Sequence, residues 1–204
     1  MSSTPFDVYV FDFDGTLVDS AAAKRRAFYE IFPADCAPAV AAVLARDPDG
    51  SRHLVIPAMI AEAGRLGAES SGLDAAALVA AYGRAVERAV AAAPAMPCAE
   101  KVLEKASAAA AYVASMTPHD DLQQLLAQRG WLKYLKGAYG YPHAKPQVVA
   151  RLLRHHQVDA GRLMVVGDGR SDREAAERNG CAFHAITDLR SIMRVPGLEI
   201  EDHV

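Results

Sequence analysis

Asp12 and Asp14 stand two residues apart in Phe11-Asp12-Phe13-Asp14-Gly15-Thr16, directly after the apolar run Val8-Tyr9-Val10. Alternate residues of a regular strand point to opposite faces, so the two acids share a space only if the first ends a strand and the second swings in from the loop. Gly15 lets the backbone turn sharply there and come close to a ligand. Two carboxylates held together repel, which raises the affinity for a divalent cation and separates their proton affinities. Such a pair suits nucleophilic attack by one aspartate, with the other serving as acid and then as base. An Asx-type turn is the plainer alternative.

Three further stretches carry related chemistry. Asp168 and Asp172, in Gly167-Asp168-Gly169-Arg170-Ser171-Asp172, again place acids and glycines after an apolar run, as an oxygen-ligand site for magnesium requires. Lys145 precedes Pro146 at a helix start, a place from which an ammonium reaches phosphate oxygens. Ser115 follows Tyr112-Val113-Ala114 and offers a hydroxyl at a third strand end. Each has an ordinary explanation as well: Asp172 as a helix N-cap, Lys145 as a solvated lysine, Ser115 as a cap.

The elements that must position these residues are legible as short apolar runs followed by helical patterns. Residues 7–11, 111–114 and 163–166 read as strands, and such alternation with helices is the pattern of a parallel sheet with covering helices. Thr117 is expected to cap a helix whose first residue is Pro118 and whose Leu122, Leu125 and Leu126 are buried, ending near Gly130. A second helix opens at Pro146, with Val148, Val149, Leu152 and Leu153 inward and Arg151 and Arg154 outward. A third starts at Ser171 or Asp172 and exits at Asn179-Gly180 into a strand from Cys181 to Ile186. Trp131, Tyr134 and Tyr139 are expected to pack a helix after Gly130 against the sheet.

From Ser20 to about residue 96 the pattern changes to alanine-rich helical sequence, broken at Pro33, Pro38, Asp47-Pro48-Asp49-Gly50, Ser70-Ser71-Gly72 and Pro94/Pro97. The expected organisation is therefore an α/β core from residues 1–18 and 94–204, Rossmann-like with helices on both faces, and an inserted all-helical cap over 19–93. A lid at the carboxyl ends of the strands would sit where ligands bind in open α/β sheets.

A chain of 204 residues, half of them apolar, is large enough for one full core and an accessory layer. Its net charge of −3 and scattered basic residues lack the footprint that nucleic acid demands. No stretch approaches the length of a membrane span, and the N-terminal residues do not read as a signal peptide. Cys36, Cys98 and Cys181 are far apart and without a ligand partner, which predicts free thiols and a cytoplasmic setting.

In this order and at these strand ends, the four stretches resemble the signatures of the haloacid dehalogenase-like hydrolases over nearly the whole chain. Asp12 to Thr16 is the most specific, a string expected by chance about once in 10⁵ positions. The resemblance implies that Asp12 is a nucleophile forming an aspartyl-phosphate and that Asp14 is the acid/base. It implies a magnesium site from the Asp12 carboxylate, the Asp14 main-chain carbonyl and Asp168, with Asp172 supporting it. Ser115 would bond a phosphoryl oxygen, with Met116 and Gly15 beside it, and Lys145 would offset the charge of Asp12 and the phosphate. The second acid points to phosphate chemistry, since members that cleave carbon–halogen bonds do not need a proton donor there.

The insertion after the first signature is similar to that of capped members such as phosphoglycolate phosphatase and β-phosphoglucomutase. It implies a small phosphorylated metabolite as substrate and a monomer or homodimer, with no nucleic-acid or membrane partner. A phosphomutase and a non-catalytic phospho-ligand-binding protein are the alternatives. Lys24, Arg25 and Arg52 are candidate anion contacts in the cap, Arg52 foremost because Asp47 to His53 reads as a loop. His119 is a candidate pocket residue, whereas His53, His143, His155 and His156 read as surface or core polar groups. Resemblance of residues 19–32 and 139–146 to members found with polysaccharide and nucleotide-sugar pathways adds phosphorylated sugars to the candidate substrates.

Overall fold

A computed structural model describes residues 5–48 and 50–201, and Asp49 of the expected break lies outside them. The chain divides into two compact units, Met1–Asp19 with Pro94–Val204, and Ser20–Ala93.

The first unit is a five-stranded parallel sheet of order β3-β2-β1-β4-β5, built from β1 (Val8–Phe11), β2 (Ala110–Pro118), β3 (Gly137–Tyr141), β4 (Leu163–Gly167) and β5 (Ala182–Ala185). β1 is central: Val8 pairs with Ala110 and Leu163, and Phe11 with Val113 and Val166. Its four residues are all buried, so the strand reads as an unbroken apolar run rather than an alternation. One sheet face, with Val8, Val10, Tyr112 and Val165, packs on α7 (Lys145–His156) and α8 (Arg170–Asn179). On the other, Tyr9, Phe11, Val113 and Val166 are equally enclosed, and α5 (Ala99–Ala106) and α6 (His119–Gln128) pack against β2, α6 also against β3. Sheet order reverses at β1, which makes the carboxyl ends of β1, β2 and β4 the crevice of the fold.

The second unit holds α1 (Ala21–Ile31), α2 (Ala37–Arg46), α3 (Arg52–Arg65) and α4 (Ala75–Ala92) around its own core of Phe28, Phe32, Val40, Ile56, Met59 and Tyr82. Phe28 and Tyr82 stack at 4.1 Å between ring centroids. Asp74 caps α4 by accepting from the N–H groups of Ala76 and Ala77.

Three sequence expectations change. β2 runs on through Pro118, so α6 begins at His119 and Thr117 is no N-cap. α8 begins at Arg170 after Gly169, which places Asp172 on the third helical residue instead of at the start. After Gly130 there is no helix but a single 3₁₀ turn, Leu132–Tyr134, and then β3 carrying Tyr139. Gly137 and Gly140 hid that strand. A Cβ on Gly140 would lie 2.5 Å from the Thr117 carbonyl oxygen and 2.6 Å from the His119 Cα, and one on Gly137 would lie 3.5 Å from the Tyr112 ring. At Gly140 the close approach of backbone therefore excludes any side chain, while at Gly137 a Cβ would make only ordinary contact; with both positions glycine, β3 lacks there the β-branched residues by which a strand is ordinarily recognised.

Candidate active site

The site grows from the end of β1. The Asp12 N–H still bonds to the Val166 carbonyl at 2.8 Å, which holds Asp12 in the β1–β4 register one residue past the strand. Phe13 turns inward and is fully buried, and its N–H donates to Asp12 Oδ1 at 2.8 Å. The chain then closes a tight turn, with Leu17 and Val18 N–H groups bonding to the Phe13 carbonyl and Gly15 N–H to that of Val18. Gly15 has φ +74°, and a Cβ there would come within 2.0 Å of Asp168 Oδ2. Only glycine leaves space for the Asp168 carboxylate over this turn.

Lys145, the first residue of α7, reaches back under the strand ends with only 3 % of its surface exposed. Its Nζ lies 2.9 Å from Asp12 Oδ1 and 2.6 Å from Asp172 Oδ1. Burial disfavours the ammonium, but the two carboxylates outweigh it and hold Lys145 above the ordinary lysine range. Asp172 is 1 % exposed, and its other oxygen accepts the Gly169 N–H at 3.2 Å, tying off the first turn of α8. Burial, then the charge of Asp12, pushes the Asp172 carboxyl up to about 7 against the pull of Lys145 and Gly169. A Cβ on Gly167 would meet Asp172 Cγ at 2.2 Å, so this glycine too makes room for an acid.

Oxygens of Asp12, Asp168 and Asp172 all lie within 4.8 Å of one another. An all-oxygen, all-carboxylate donor set of this size fits a hard divalent cation such as magnesium. The structure therefore brings Asp12, Asp14, Gly15, Lys145, Asp168 and Asp172 together at one end of one sheet.

Ser115 lies on β2 and is buried, with its Oγ accepting the Thr117 N–H at 3.1 Å. Met116 beside it is 58 % exposed and lines a hollow of about 180 Å³ with Tyr141, Pro142, His143 and Lys145. A larger hollow of about 360 Å³, by Tyr139, Gln147, Arg151 and Arg154, contains none of the acids and is not the chemical centre. His119 accepts the Gly140 N–H at its Nδ1, which ties α6 to β3, and His156 has a partner that spacing did not reveal, the Tyr112 hydroxyl at 2.8 Å. Arg52, Lys24 and Arg25 belong to the helical unit, and Arg52 is the first residue of α3 rather than part of a loop.

Two further residues take part in the site: Thr117, the alternative hydroxyl to Ser115 that the sequence reading assigned to a helix cap, and Arg129, which it did not single out. Thr117 Oγ1 donates to Asp14 Oδ2 at 2.9 Å. Arg129 lies over the rings of Phe13 (6.0 Å) and Trp131 (5.3 Å); burial lowers its pKa and the Asp14 charge partly offsets this. Thr117 had a signal, a second hydroxyl two residues after Ser115. Arg129 had none, because its place depends on how α6 ends.

With the geometry in place, comparison with known proteins is decisive for the family. A family model for haloacid dehalogenase-like hydrolases matches residues 6–180. The chain belongs to this family. A phosphoglycolate phosphatase of Vibrio parahaemolyticus is 34% identical over 98 residues, which is 45% of this chain and 43% of that relative, so the match spans less than half the relative's length. Among solved structures, a haloacid dehalogenase-like hydrolase from Streptococcus pneumoniae superposes with TM-score 0.62 at 18% identity over 93% of this chain and 90% of that one. A second, from Bacillus subtilis, is described as a HAD hydrolase bound to magnesium that reveals interdomain movement; it gives TM-score 0.62 at 16% identity over 87% of this chain and 85% of that one. At these identities the two structures speak to the fold alone.

Proposed function

We propose that this hydrolase is a magnesium-dependent phosphatase of small phosphomonoesters, acting through an aspartyl-phosphate on Asp12. The observation that carries the reading is the buried bridge of Lys145 to both Asp12 and Asp172, with Asp168 alongside and a second acid, Asp14, outside that bridge. The Phe13 N–H and Lys145 both bond to Asp12 Oδ1, which leaves Oδ2 for attack on phosphorus. Lys145 neutralises charge where nucleophile and phosphoryl group meet, and Asp14 supplies and recovers the proton. Asp12, Asp168 and Asp172, with the Asp14 main-chain carbonyl, would hold the magnesium, whose chemistry is to neutralise phosphoryl oxygens.

The Ser20–Ala93 unit serves as the cap that selects the leaving group, with Arg52, Lys24 and Arg25 as its anion contacts. The similarity to a phosphoglycolate phosphatase supports phosphoglycolate as substrate, and sugar phosphates stand beside it on the sequence resemblance alone. Among the described residues no helix is long and apolar enough to cross a membrane, which accords with a cytoplasmic enzyme acting on a free metabolite.

The test is phosphate release from several dozen metabolites in the presence of magnesium, with Asp12→Asn as control. Release from at least one, lowered at least about 10³-fold in the variant, is expected. Isomerised glucose phosphate without free phosphate would make the protein a mutase instead. Silence across the panel would leave it a binding protein.

A further inference from the structure

Asp14 is held by a short chain of hydroxyls that the aspartyl-phosphate chemistry alone does not require. Ser115 Oγ donates to Thr117 Oγ1 at 3.2 Å, and Thr117 Oγ1 donates to Asp14 Oδ2 at 2.9 Å. Both hydroxyls sit on β2 within the stretch where its pairing with β3 shifts register, held between the paired residues Ala114 and Pro118, so the sheet on either side and not a free loop sets their positions. Since Thr117 caps no helix, its side chain has no competing local role.

A threonine hydroxyl carries one proton. Here that proton is given to Oδ2 of Asp14, so Oδ2 is an acceptor and any proton on the carboxyl resides on Oδ1. We propose that Thr117 is a positioning residue for Asp14, turning its carboxyl so that Oδ1 is the oxygen that gives up and recovers the catalytic proton.

The inference rests on the phosphatase reading above. In the first half-reaction the bond from phosphorus to the leaving oxygen breaks as Asp12 Oδ2 bonds to phosphorus, and the Oδ1 proton passes to the leaving oxygen. In the second, a water oxygen bonds to phosphorus, the Asp12 Oδ2–phosphorus bond breaks, and a water proton returns to Oδ1. Throughout, Thr117 keeps its bond to Oδ2. Ser115 can turn its own proton to a phosphoryl oxygen without disturbing that bond.

The test uses kcat/KM, which reports the steps up to departure of the leaving group. Thr117→Val keeps the branched shape and removes the hydroxyl, and Thr117→Ser restores it. Each is compared with wild type on 4-nitrophenyl phosphate, whose leaving phenolate needs no proton, and on the fastest alkyl ester among phosphoglycolate, glycerol phosphate and glucose phosphates. Thr117→Val is expected to lose about 10- to 100-fold on the alkyl ester and less than about threefold on the aryl ester, with Thr117→Ser close to wild type on both. Equal losses on the two esters, or none, would overturn the role of Thr117 while the phosphatase reading stood. A wild-type protein that cleaves neither ester would bring down both.

Discussion

Lys145 is a residue whose removal has a calculable consequence, because it is the buried cation between two buried carboxylates. Lys145→Met leaves Asp12 and Asp172 uncompensated, and breaking a buried ion pair in this way costs about 3–5 kcal/mol. Denaturant unfolding at pH 8 in the absence of divalent ions is expected to show a loss of that size. The loss should shrink toward pH 5. Asp172 is raised from 3.8 to about 7, so its neutral form favours the fold at low pH, and that contribution is lost as pH rises through about 7. Taking away Lys145 raises the acid further and steepens the dependence. A variant as stable as wild type at pH 8 would show that the bridge does not form in solution.

At the scale of elements, the helical unit has its own pH-sensitive joint. Glu62 of α3 receives Arg65 at 2.6 and 3.1 Å and Arg46 of α2 at 3.3 Å. The Arg65 hydrogen bonds above all, with Arg46 adding to them against desolvation, lower Glu62 from 4.5 to about 2. A depressed carboxylate stabilises the fold above its unfolded value, so this contribution is complete above pH 4.5 and disappears as pH falls through about 2. Thermal midpoints of wild type should therefore fall more steeply than those of Glu62→Gln across that window, and parallel curves would mean that the pairing is not maintained. The same scale shows what sequence could reveal. β1, β2 and β4 announced themselves because central parallel strands must be apolar on both faces, and the acids after β1 and β4 stood out against that background. β3 was silent because two of its five residues are glycines, Gly140 being closed to any side chain by the Thr117 carbonyl and the His119 backbone, and Thr117 was misassigned because local capping preference cannot register a strand that runs four residues longer. Pairing across the sheet, which is not a local property, decided both.

Over the whole molecule, the candidate site of the first unit was almost entirely legible. Five of its acids and cations, Asp12, Asp14, Lys145, Asp168 and Asp172, lie in three motifs whose separation in sequence is bridged by sheet order alone. Arg129 was not legible, since it acts from the end of α6 through ring faces contributed by Phe13 and Trp131. The account rests on Asp12 becoming covalently phosphorylated. Asp14→Asn, which lacks the base for the second half-reaction, should accumulate that intermediate when mixed with magnesium and 4-nitrophenyl phosphate, whose phenolate leaves without a proton from Asp14. Acid quenching, borohydride reduction and peptide mass spectrometry would then report the acylated residue. Reduction of Asp12 to homoserine is the expected result; a label on any other residue, or none on Asp12 while wild type releases phosphate, would contradict the assignment.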